Sequence, residues 1–137
     1  MARSHTAYLN RSDVPVRADL QKAMDQFGFK VTLDHSYAPF KVSGYLPCIL
    51  DGEDSGFNMR FCDVDSKLPS ALASGIEGRD TAIGFSWAGD PREELAALTV
   101  CAALVGQFGA IVHGGDDDKL LSLEELLAKA KKARASL

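Results

Sequence analysis

The chain is poor in cysteine, has no long apolar run, carries no excess of basic residues and contains none of the short motifs that mark a familiar chemistry. Each shortfall closes a class of function. The three cysteines, Cys48, Cys62 and Cys101, are an odd number, and none stands in a CxxC pair or beside a second zinc-type ligand. Each lies in an apolar stretch, where a free thiol behaves as a small hydrophobe, so buried reduced thiols are expected instead of a disulfide framework. No run of about 18 apolar residues occurs, which leaves no candidate membrane span. The opening "MARSHTAYLNRSD" lacks the apolar stretch and small-residue cleavage site of a signal peptide, and a cytoplasmic location is expected. Fifteen Lys and Arg stand against nineteen Asp and Glu, a formal charge of −4. That balance gives no basic footprint for a phosphate backbone, so nucleic acid is not an expected partner.

Catalytic and phosphate motifs are missing as well. Ser86 in "GFSWAGD" has the spacing G-x-S-x-x-G, one residue too long for a nucleophile elbow. The glycines of "ASGIEGRD" lack the Lys-Ser/Thr that completes a phosphate loop, and HExxH is absent. No period of roughly 20 to 50 residues repeats. Neither a cofactor nor a metal is expected.

What remains is a chain of 137 residues, 46% apolar and 25% charged, the makeup of a single domain over residues 1–137. At this length about two-thirds of the unfolded chain's surface is buried, enough for a core that needs no disulfide or structural metal. Three helices are predicted. The first follows "SDVPVRADLQKAMDQFGF", capped by Ser12 or Asp13, with Val16, Leu20, Ala23, Met24 and Phe27 on one face and Gly28 at its end. The second follows Asp90-Pro91, with Glu93 completing a capping box, and is apolar on nearly every face from Leu95 to Phe108 before Gly109 stops it. The third starts at a Ser122/Glu125 capping box and carries Leu123, Leu126, Leu127 and Ala130 on one stripe, with Lys129, Lys131, Lys132 and Arg134 towards its end. Strands are predicted at 5–11, 29–36, 44–50, 56–64, 80–88 and 110–113. Pro47 places its strand at an edge or a bulge. The order favours an α+β fold: a mainly antiparallel sheet of five to six strands with three helices in a two-layer sandwich.

Between two apolar runs lies Asp51-Gly-Glu-Asp-Ser-Gly56, with three carboxylates within four positions. The spacing does not suit a calcium loop, and a solvated hairpin tip of four to six residues is expected. With Asp63 and Asp65 further along the same hairpin, Asp51, Glu53 and Asp54 suggest a negative ridge that a basic partner can read. "HGGDDDKLLS", from His113, reads as a polar turn into the last helix, with Gly114-Gly115 turning and Asp116 to Asp118 solvating it. Trp87, just before the helix cap, is expected as a core anchor, or as a binding hot spot if exposed. Tyr45 belongs to the same recognition set.

The last third, "FSWAGDPREELAALTVCAALVGQFGAIVHGGDDDKLLSLEELLAKA", resembles the ending of small bacterial cytosolic immunity proteins of polymorphic and secreted toxin systems: a tryptophan-bearing strand, an alanine-rich helix, a short strand, an acidic turn and a closing helix. The resemblance is one of architecture and transfers no residue role. It implies a non-catalytic protein that binds a cognate toxin. On that reading Asp51, Glu53, Asp54, Asp63, Asp65, Trp87 and Tyr45 form the partner-binding set. The alternative is a small enzyme or ligand-binding protein with a pocket between sheet and helices, lined by Arg60, Tyr45, His35 and Asp63. A third reading, a homo-oligomer, requires an apolar patch on a free strand edge.

Overall fold

The computed structural model describes residues 3–64, 70–115 and 119–137. Seven strands, β1 (Arg3–Leu9), β2 (Val31–Leu33), β3 (Ser43–Leu50), β4 (Glu53–Asp63), β5 (Thr81–Trp87), β6 (Ile111–Gly114) and β7 (Lys119–Leu121), form one sheet. The strand order is β2-β3-β4-β5-β1-β6-β7, and every neighbouring pair is antiparallel. Four α-helices accompany it: α1 (Arg17–Asp25), α2 (Ser70–Gly75), α3 (Pro91–Gln107) and α4 (Leu123–Ala135). The α+β class stands, with one strand and one helix beyond the expected number. The added strand, β7, forms from Lys119-Leu120-Leu121, which had been read as part of a turn. The added helix, α2, is a six-residue segment too short to show a period.

Helix α3 organises the core. Asp90 caps it by accepting from the Arg92 amide at 2.9 Å, and Pro91 occupies the first turn, where no N–H is needed. Glu93 accepts from the Ala88 amide at 3.1 Å, two residues upstream of the Asp90 amide that the expected capping box would use. Ten consecutive residues, Leu95 to Leu104, are buried. The helix therefore has neighbours all round: the sheet beneath it, with α1 and α4 also packed against it. Its alanines, Ala96, Ala97, Ala102 and Ala103, allow that close approach. Thr99 satisfies its buried hydroxyl by donating to the Leu95 carbonyl at 2.7 Å. Gly109, at φ +70°, turns the chain out of the helix.

Helix α4 starts at the expected capping box: Ser122 Oγ accepts from the Glu125 amide at 3.1 Å, and the Glu125 carboxylate accepts from the Ser122 amide at 3.2 Å. Helix α1 begins later than predicted. Ser12 and Asp13 form a single 3-10 turn, Arg11–Asp13, and the cap of α1 is Val16, which has no side-chain acceptor.

Strand alternation then divides the sheet. Leu46, Cys48 and Leu50 of β3, Phe57 and Met59 of β4, Ile83, Phe85 and Trp87 of β5, and Ala7 and Leu9 of β1 face the helices. Their neighbours along each strand face the other way. On that second face, α2 covers only one end, where Ile76 and Leu72 pack with Tyr8, Ala82 and Val64. The edge strands β2 and β7 are three residues each, which leaves little length for pairing with another sheet. Pro47 obeys the edge expectation locally. Its carbonyl, and hence its missing N–H, points towards β2, just past the last β2 residue, where the Asp34 amide donates to it at 3.3 Å.

Candidate functional site on the open sheet face

Asp51 and Gly52 alone make the β3–β4 turn, both at positive φ (+50° and +85°), as the twist of a two-residue type I′ turn demands. The expected loop of four to six residues is therefore a two-residue one. Glu53 pairs with Leu50 and Asp54 with Ile49 as strand residues, so the acids are distributed by strand geometry instead of sharing a tip. Glu53 lies on the helix side and reaches Arg92 at 3.0 Å, while Asp51 meets Lys30 at 3.7 Å. Asp54 faces outwards on the open face. Asp63 stands nine positions further along β4, about 30 Å away at strand rise, in a small recess with Arg11, Phe40 and Thr81. Asp65 and Asp116 to Asp118 lie outside the described residues. Among the described residues, Asp51, Glu53, Asp54 and Asp63 do not form one ridge.

Trp87 is 3% exposed and packs edge-on to His5 with ring centroids 5.0 Å apart. It is a core residue, because strand parity on β5 puts it on the same side as Ile83 and Phe85. Tyr45 is the opposite case at 57% exposed. Its ring leans across β4 onto Gly56, where any Cβ would strike the ring and the Leu46 carbonyl. Gly56 is thus the seat that holds Tyr45. Pro47 and Ile49 follow Tyr45 on the same outward row of β3, and Ile49 is 39% exposed.

Two depressions flank this row. One, of about 520 Å³, is bounded by Arg17, Thr32, His35, Tyr45, Ile49 and Asp54. Arg17 is held there by donating to the Leu33 carbonyl at 2.6 Å and the Asp34 carbonyl at 3.2 Å. The other, of about 370 Å³, runs over the middle of the sheet and is bounded by Ser4, Thr6, Asn58, Arg60, Gly84 and Ser86. The four residues expected to line one pocket are divided among these depressions and the recess at Asp63: His35 and Tyr45 share the first, Arg60 lies in the second, and Asp63 is apart. The 370 Å³ trough lies over the face away from α1, α3 and α4, the 520 Å³ depression sits at the β2 edge and takes in Arg17 of α1, and the interface with those helices is filled by core side chains.

Partial burial raises the Tyr45 phenol pKa above the ordinary 10.0, and Glu93, Cys48, Asp54 and Asp90 push in the same direction. Burial holds the Cys48 thiol up at about 12, and Cys101, wholly enclosed by α3 and its neighbours, is also pushed up. Neither is poised as a thiolate nucleophile. Among the described residues, no group of three His, Cys, Asp or Glu converges as a metal ion requires, and no helix is long and apolar enough to cross a membrane.

Pro47, Ile49, Ser4, Thr6, Gly84 and Ser86 are not among the site residues expected from the sequence. The signal was present in "TAIGFSW", where Ala82, Gly84 and Ser86 alternate with bulky Ile83, Phe85 and Trp87. The Gly-x-Ser that fails as a nucleophile elbow is the low floor of a sheet face. Comparison with known protein families, with curated proteins and with solved structures finds no match to this chain.

Proposed function

We propose that the chain is a non-catalytic protein-binding module of the immunity type, which docks a cognate toxin with the open part of the sheet face opposite α1, α3 and α4. The observation that carries this reading is the outward row Tyr45, Pro47 and Ile49: apolar side chains exposed in line on a strand whose other face is fully enclosed. An aromatic anchor seated on a glycine loses little conformational freedom on binding and offers a large contact area. The carboxylate of Asp54 faces outwards on the neighbouring strand, on the same side as that anchor. Together with the net charge of −4 it selects a basic partner surface and speeds its approach. Asp54 and Tyr45 belong to the docking row, Asp51 and Glu53 act at its rim through their own ion pairs, and Trp87 is part of the core.

The test is growth protection. Co-expressed with a toxin-like protein encoded beside it, the chain should relieve growth arrest, and the double variant Tyr45→Ala/Ile49→Ala, still folded, should not. Protection that survives the double change, or a purified chain that instead turns over a substrate, defeats the proposal.

A further inference from the structure

Of the seven arginines, six are engaged by the chain itself. Arg3 pairs with Glu94 and Arg92 with Glu53, each at 3.0 Å. Arg11 lies over the Phe40 ring, Arg17 holds the carbonyls at the end of β2, Arg79 holds those of Ile76 and Gly109, and Arg134 reaches the Gly28 carbonyl. Arg60 alone has no ion pair, hydrogen bond or ring contact among the described residues. Its position is not an arbitrary point on the surface. On β4 it stands between Ser43 of β3 and Gly84 of β5, at the side of the 370 Å³ trough over the sheet.

The rest of the trough is matched to that cation. Ser4 and Thr6 of β1, Asn58 of β4 and Ser86 of β5 contribute hydroxyls and an amide, and none of these side chains is hydrogen-bonded elsewhere in the described chain. Among the described residues no carboxylate lines it, although acids outnumber bases in the chain. Gly84 keeps the floor low: a Cβ there would have the Arg60 carbonyl oxygen as its nearest neighbour, at 3.9 Å, so the space above it is open. A planar guanidinium above a row of neutral donors is suited to a carboxylate, which it can meet with two parallel N–H···O bonds.

We propose that this trough is a binding site for a small carboxylate ligand, with Arg60 pairing its anionic group and Ser4, Thr6, Asn58 and Ser86 addressing its polar body. The site lies on the same face as the Tyr45 row but does not depend on the protein-binding reading. Its volume falls at the small end of ligand pockets, which suits a dicarboxylate or amino-acid-sized molecule.

The experiment is a titration of the ¹⁵N-labelled chain, followed by amide chemical shifts, with glutarate, its neutral diamide glutaramide and inorganic phosphate as probes. Glutarate should give saturable shifts confined to Thr6, Asn58, Arg60, Gly84 and Ser86 with a Kd of roughly 1 mM or tighter, and glutaramide should bind about tenfold more weakly. Arg60→Gln should weaken glutarate by about tenfold or more while leaving the spectrum dispersed. Gly84→Val, which adds a β-branched residue to an extended position, should keep the fold and fill the floor, removing the response. Absence of saturation, equal binding of glutaramide, tighter binding of phosphate, or an undiminished response in Arg60→Gln would each overturn the assignment.

Discussion

The two faces of the sheet are made by the same strands, yet they follow different rules. On β5 the helix-side residues are Ile83, Phe85 and Trp87, none more than 3% exposed, while the residues between them, Ala82, Gly84 and Ser86, are small. On β3, Leu46, Cys48 and Leu50 are enclosed and Tyr45 and Ile49 are not. One face contributes nearly all the apolar burial that stabilises the domain. The other contributes little to stability, and that makes it free to carry recognition.

This contrast can be broken most severely at Phe85, which packs on Phe57 with ring centroids 5.8 Å apart and is 1% exposed. Phe85→Ala should cost about 3–5 kcal/mol in urea unfolding. Ser86→Ala, one residue on and facing outwards, should stay within about 0.5 kcal/mol. Equal losses at the two positions would mean that the open face is not energetically distinct.

A second, smaller effect follows from the enclosed thiol of Cys48. Its folded pKa of about 12 lies above the ordinary 9.0, so the folded chain holds this proton where the unfolded chain releases it. The stability tied to it is whole below about pH 9 and is lost as pH rises towards 12, and the raised Cys101 and Tyr37 act in the same direction. Urea midpoints should therefore fall between pH 9 and 11, and Cys48→Ala should shallow that slope. A midpoint that is flat or rising over this range would contradict the burial described. Under native conditions, Cys62, the exposed cysteine, should react with a thiol reagent well before the other two.

The smallest expected change is at the rim. Glu53→Gln removes an ion pair between two largely exposed side chains and should cost at most about 1 kcal/mol, measured as a difference in unfolding free energy at low and high salt. The cap of α4 gives a local standard for that scale: Ser122→Ala should lose about 1 kcal/mol.

Helices α3 and α4 were legible because their ends are written in side chains: Asp90-Pro91, Ser122 with Glu125, and Gly109 each satisfy or terminate backbone groups by local chemistry. The start of α1 was not, since Val16 caps it without a side chain and Ser12 and Asp13 are held in a separate turn. The β3–β4 hairpin was misjudged in length because Glu53, Asp54 and Ser55 are poor strand formers. Asp51-Gly52 supplies both positive φ values, and the register with Ile49 and Leu50 draws the acids into the strand. The site was half legible. Tyr45 and Asp54 could be named from composition and position, but which face of the sheet stays open is decided by packing across the whole domain. No local pattern around Arg60 or Gly84 carries that information.

The most direct test of the two-faced account is the affinity of the purified chain for the toxin proposed as its partner, measured by calorimetry for two single variants of equal thermal stability. Tyr45→Ala, on the open face, should weaken binding by about 30-fold or more, and Lys22→Ala, exposed on α1 in the helical layer, by less than about twofold. Full affinity in Tyr45→Ala together with a large loss in Lys22→Ala would move recognition to the helices and contradict it.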